Sequence, residues 1–180
     1  MAIVEMYTDG GCSGNQSETN LGGWGSILKY GDHTRELYGK EKNTTNNRME
    51  LTAVIEAFKV LKRDGLTIHV FSDSAYVVNC FKEKWYVGWE KRGWKNTKKE
   101  PVENQELWKE LISLVSKHNV TFFKVKGHVN IDHPSTNLEA HYEKFRKYNG
   151  DDFNFDDFLF ITKMNNRADE LANKGIDELR

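Results

Sequence analysis

Two apolar rhythms alternate along this chain. Over Ile3 to Thr8 the period is two: Ile3, Glu5 and Tyr7 share one side and Val4, Met6 and Thr8 the other, which predicts a first strand. Gly10-Gly11-Cys12-Ser13-Gly14-Asn15 reads as a turn. Trp24 to Tyr30 and Thr34 to Gly39 flank Gly31-Asp32 and predict a hairpin. Asn46 to Lys62 then switches to helical spacing and stops at Asp64-Gly65. Thr67 to Ser72 predicts a short strand, followed by a helix through Tyr76, Val77, Cys80 and Phe81. Glu103 to Lys117 predicts a helix with Leu107, Leu111, Leu114 and Val115 as its apolar stripe. Val120 to Val125 reads as the last strand and Asn166 to Leu179 as the closing helix. A hairpin followed by alternating strands and helices predicts an α/β fold, a mixed sheet flanked by helices.

Val129 to Met164 resists this pattern. It holds a candidate helix from Asn137 to Tyr148 and the acidic-aromatic run DDFNFDDFLFI. A structureless loop of that length is uncommon in a compact domain, so a small structured excursion is expected.

Four carboxylates sit where the apolar pattern does not welcome them. Asp9 and Asp73 each follow an apolar strand, Glu50 shares a helical stripe with Ala53, Val54, Ala57 and Leu61, and Asp169 sits beside Ala168, Leu171 and Ala172. Each alone reads as a turn former, a cap or a charge favoured by a helix N-terminus. Crowded together without compensation they would repel and hold protons, so a shared cluster points to divalent cations. If the strands ending at Asp9 and Asp73 are parallel neighbours, the two carboxylates meet at one edge of the sheet, where ligands gather in such folds.

At 180 residues, with 38% hydrophobic and 29% charged, the chain has room for one domain with a substantial core. No apolar run approaches the roughly 20 residues of a membrane span, and the N-terminal segment lacks the basic-then-apolar pattern of a leader. Cys12 and Cys80 have no metal or redox spacing, which reads as a reduced, cytoplasmic protein. A net charge of −1 gives no whole-molecule attraction to a polyanion. Locally the balance differs: Lys82 to Glu100 carries seven Lys/Arg against three Glu, interleaved with Trp85, Trp89 and Trp94, whereas Val129 to Met164 carries seven Asp/Glu against four Lys/Arg.

The strings YTDGGCSGN, TTNNRMELTAVIEA, FSDSAYVVNCF, KWYVGWEKRGWK, KVKGH and NNRADELANKG, in this order, closely resemble type 1 ribonuclease H. Any one of them is weak; the combination is specific. The resemblance implies a ribonuclease H-like mixed five-stranded sheet flanked by helices, one domain over 1–180, with 129–164 as an insertion within it. It implies a site of Asp9, Glu50, Asp73 and Asp169 holding two Mg2+ ions, with Mn2+ as a substitute. Asp9 would bridge the ions, Glu50 and Asp73 would complete one position, and Asp169 the other. Two metals roughly 3.5–4 Å apart suit phosphodiester cleavage, clamping the entering and leaving oxygens, and Mg2+ prefers such oxygen ligands.

By the same resemblance His128 is a mobile proton-transfer group assisting product release, although about thirty extra residues follow it before the fourth carboxylate. His133 and His141 read as ordinary surface residues. The expected substrate is an RNA–DNA hybrid, with the RNA strand cut to 5′-phosphate and 3′-hydroxyl ends. Gly10, Gly11, Cys12, Asn15, Asn46 and Asn47 would reach its minor groove, where the 2′-hydroxyl tells RNA from DNA. Ala75 replaces a polar minor-groove contact of several members. Lys91, Arg92 and Lys95 would face DNA-strand phosphates, Trp85 a deoxyribose and Thr45 a phosphate. Trp89 and Trp94 read as core. The acidic insertion, rich in aromatics, is expected to avoid phosphate and to pack on the domain or on a protein partner.

A monomer without membrane contact is expected, from a bacterial or phage genome. Competing readings are a non-catalytic hybrid-binding module and the ribonuclease H part of a retroelement polymerase; Met1 just before the first strand favours a free-standing protein.

Overall fold

The computed structural model describes residues 2–14 and 19–180. Five strands form one sheet: β1 (Val4–Ser13), β2 (Leu21–Tyr30), β3 (His33–Lys42), β4 (Thr67–Ser72) and β5 (Asn119–Lys124). Their order across the sheet is β3-β2-β1-β4-β5. β1 runs antiparallel to β2 and β2 to β3, while β4 lies parallel to both β1 and β5. This is the mixed five-stranded sheet expected.

Six helices flank it: α1 (Asn46–Lys59), α2 (Ala75–Lys82), α3 (Trp85–Lys91), α4 (Gln105–Val115), α5 (Leu138–Asn149) and α6 (Phe155–Glu178). Strand alternation divides the core. Met6, Ile68, Val70 and Phe122 face α1, α2 and α4, meeting Leu51, Val54, Phe58, Val77, Trp108 and Leu111. Tyr7, Ile27 and Phe71 face the other way, toward Phe145, Phe158, Ile161 and Leu171. Two adjacent residues, Met6 and Tyr7, thus anchor opposite cores, as a period of two requires.

Two boundaries differ most from expectation. β1 does not end at Thr8; Gly10 to Ser13 stay paired with Trp24 to Leu21 of β2. A ladder is made by backbone groups, so small residues that read as a turn can occupy it. The closing helix begins at Phe155, not Asn166, with a capping box in which Asn154 and Asp157 satisfy each other's backbone N–H groups at 2.8 and 2.9 Å. Its early turns were hidden because two polar residues, Thr162 and Asn165, lie in its buried stripe and break the apolar spacing. Residues 129–164 therefore comprise a loop, α5 and the first turns of α6. The aromatics Phe145 and Phe158 are buried, and Tyr142, Phe153 and Phe155 pack against them, which is the domain-packing alternative. No helix among the described residues is long and apolar enough to cross a membrane.

Candidate active site

Asp9 lies where two ladders part. The parallel pairing of β1 with β4 ends at Thr8 opposite Ser72, while the antiparallel pairing with β2 continues past Asp9 opposite Gly25. The chain after β4 is thereby free to turn at Asp73 into α2, whose N-cap Ser74 accepts from the Val77 N–H at 3.2 Å. Asp9 is thus inside a strand rather than at its end, but the expected meeting with Asp73 at the end of the parallel pair holds.

Glu50 arrives from the side on α1. Thr45 caps that helix by accepting from the Arg48 N–H, and Asn46 Oδ1 accepts from the Cys12 N–H at 2.8 Å, tying the helix start to β1. The helix passes very close to the strand at Gly10, where a Cβ would lie 2.3 Å from the Met49 carbonyl carbon and 2.5 Å from the Glu50 nitrogen. Glu50 lies beyond the first helical turn and is buried, so the helix dipole does not account for it. Asp169 sits mid-way along α6, which removes its alternative reading as an N-terminal-turn charge.

Oxygen atoms of Asp9, Glu50 and Asp73 lie within 4.8 Å of one another and could hold a metal ion. Asp169 lines the same cavity of about 550 Å3, as does His128. Asp9 is only 6% exposed; burial, the charge of Asp73 and the adjacent Asp169 carboxyl push its pKa up to about 9. Burial, then Asp73 and Asp9, raise Glu50 well above the usual carboxylate range. Glu50 Oε1 is buried with no hydrogen-bond partner among the described residues. A buried acceptor without a donor is costly, and a hard divalent cation, which takes oxygen ligands, is the group this donor set fits.

His128 follows β5 on left-handed backbone, with φ 58° and an exposed ring whose Nδ1 is 3.7 Å from Asp169 Oδ2. Among the expected substrate residues, Gly10, Gly11, Cys12, Asn46 and Asn47 line the cavity with the carboxylates. Asn15 lies outside the described residues. Thr45, Trp85, Lys91, Arg92 and Lys95 do not line it: Thr45 is the α1 cap, and the others belong to α3 and the turn after it. Lys91, Arg92 and Lys95 are exposed there, while Trp89 packs on Trp108 and Trp94 on Trp89, with ring centroids 5.5 and 5.8 Å apart, both half-buried against the core.

Sequence reasoning missed two residues. Gly127 lets the loop after β5 close on Asp73, since a Cβ there would stand 2.4 Å from Asp73 Oδ2. Asn173 donates to Asp169 Oδ2 at 3.4 Å from one turn on. The glycine beside His128 was a visible signal for the first; the i,i+4 spacing was one for the second.

The RNase H family model matches residues 1–142. A ribonuclease H of Moorella thermoacetica is 52% identical over 137 residues, covering 76% of this chain and 86% of that protein. A ribonuclease H of Clostridium botulinum is 40% identical over 178 residues, covering 99% and 98%, so its likeness extends through α5 and α6. Among solved structures, LC9-RNase H1, a type 1 RNase H with the type 2 active-site motif, superposes with a TM-score of 0.72 at 28% identity, covering 99% of this chain and 74% of that one.

Proposed function

The chain belongs to the ribonuclease H family, and on that premise we propose that it cleaves the RNA strand of RNA–DNA hybrids with two Mg2+ ions, leaving 5′-phosphate and 3′-hydroxyl ends. The observation that carries this reading is the convergence of Asp9, Glu50 and Asp73 around an acceptor that lacks a donor, with Asp169 on the same cavity.

Asp9, flanked by Asp73 and Asp169, would hold the cations together with Glu50, Asp73 and Asp169. When bound, the pair supplies positive charge at the scissile phosphate and a water acidic enough to attack it. Burial keeps the Asp9 and Glu50 oxygens fixed and poorly hydrated, so they are oriented before substrate arrives. Gly11, Cys12, Asn46 and Asn47 form the cavity wall that reads the minor groove. His128, exposed and beside Asp169, carries a proton during product release. Lys91, Arg92 and Lys95 hold phosphates of the DNA strand, which adds affinity without sequence choice. Cys12 and Cys80 are free, which suits a cytoplasmic protein.

Matched RNA–DNA, RNA–RNA and DNA–DNA duplexes, each with and without Mg2+, test the reading. Cleavage confined to the RNA of the hybrid, and dependent on the cation, is expected. Hybrid binding without cleavage would leave a non-catalytic module instead.

A further inference from the structure

A second cavity, of about 360 Å3, lies beside the carboxylates, and Ala75 at the start of α2 lines both. α5 forms its far wall. Its floor is apolar, made by Val125, Phe145 and Phe158, while Lys124, Lys126, His141 and Lys144 stand around it. No carboxylate among the described residues lines it.

The cleft is built rather than accidental. Asn149 at the end of α5 clasps Lys124 of the edge strand β5, accepting from its N–H at 3.0 Å and donating to its carbonyl at 2.7 Å. Tyr148 donates to Asn79 Oδ1 of α2 at 2.6 Å, and Lys82 donates to the Tyr148 carbonyl while lying over its ring. These contacts fix α5 against β5 and against α2, whose Ala75 and Tyr76 line the carboxylate cavity.

The segment is acidic in sum, yet none of its seven acids lines the cleft, and four are engaged elsewhere. Glu143 and Asp151 pair with Arg146 at 3.0 and 3.1 Å. Asp156 and Asp157 occupy the first turn of α6, where the helix dipole favours them. Of this segment Lys144 and His141 line the cleft, joined by Lys124 and Lys126 from β5 and the chain just after it.

We infer that this cleft is an anion subsite for a backbone phosphate of the RNA strand as it leaves the carboxylate cavity, so that α5 lengthens the substrate footprint. The inference rests on the proposed hybrid substrate. The RNA strand is the occupant because it must lie on the carboxylates, and the shared Ala75 makes the cleft the next surface that strand meets.

The test measures hybrid affinity across a salt series, in EDTA to prevent cutting, for the wild-type chain and for Lys126→Gln, Lys144→Gln and the charge-matched Lys147→Gln, which does not line the cleft. Removing one lysine from a phosphate lowers the slope of log affinity against log salt by about one. Lys126→Gln and Lys144→Gln should each show that drop on a hybrid long enough to cross both cavities, and neither on one ending at the carboxylates. Lys147→Gln should show it on neither hybrid. Wild-type slopes in both cleft variants, or equal drops in all three, would overturn the subsite.

Single neutral methylphosphonate linkages then locate the strand. One position in the RNA should erase the difference between wild type and Lys144→Gln; erasure by a DNA-strand position would overturn the RNA assignment. Cleavage of the long hybrid by the wild-type chain in Mg2+ is the separate control: its absence refutes the nuclease reading beneath, whereas its presence with unchanged slopes refutes only the subsite.

Discussion

Replacing Gly10 by alanine should disable the site without touching a carboxylate. The added Cβ would lie 2.3 Å from the Met49 carbonyl carbon, where ordinary contact begins at 3.4 Å, so more than 1 Å of separation must open between β1 and α1. Both neighbours at this point are backbone, and neither can rotate away. The helix is held at its start by Asn46 on Cys12 and along its length by fully buried Leu51, Ala53 and Val54, so the strain falls on the turn that carries Glu50. Overpacking of this kind costs about 1–3 kcal/mol, and a chain of this size loses roughly 2–4 °C of melting temperature per kcal/mol. A misplacement of about 1 Å at a reacting centre costs on the order of 10²-fold in rate. Single-turnover cleavage of a labelled hybrid at 25 °C, well below the melting transition, separates the two effects. The expected result is a folded protein with a rate about 100-fold lower. Gly11→Ala is the control, since its Cβ would meet only Asn46 Oδ1 at 3.9 Å, and its melting temperature should match wild type. A wild-type rate in Gly10→Ala would refute the claim that this close approach sets the position of Glu50.

Two further outcomes follow from the same packing. Asp9 keeps its proton to about pH 9 in the folded, cation-free chain but loses it near pH 4 when unfolded. The folded state therefore binds more protons across that window, and stability in EDTA should fall as pH rises from about 4 to about 9. Melting curves should show this decline in wild type, reversal by Mg2+ at the alkaline end, and a shallower decline in Asp9→Asn; an equal slope in that variant would contradict the assignment. Tyr76→Phe should destabilise by about 1–3 kcal/mol, because the hydroxyl accepts from the fully buried Trp108 indole at 2.7 Å and its removal leaves that N–H unpaired. An unchanged melting temperature would show that the indole finds another partner.

Much of this was legible in the sequence because side-chain period and burial coincide. Met6 and Tyr7 alternate between two cores, the hairpin turns at Gly31, and the strand before Asp73 has the bounds its composition suggests. The four carboxylates were visible as polar residues placed against an apolar pattern. What escaped depends on backbone proximity or on faces. Gly10 read as part of a turn and Gly127 had no reading of its own, yet they allow the close approach of α1 and of the loop before His128. Thr162 and Asn165 masked the start of α6. The basic cleft was hidden because net charge averages over opposite sides of a segment, and here Arg146 and the α6 N-terminus take up four of the acids.

The most direct measurement on the carboxylate cluster is the turnover of Asp9→Asn on an RNA–DNA hybrid in Mg2+, beside its affinity for the same duplex. Asparagine keeps the shape of the side chain and removes the charge that would hold two cations. Cleavage should disappear while hybrid affinity stays close to wild type. Retained cleavage would contradict the role given to Asp9 and, with it, the metal-dependent hydrolysis built around that residue.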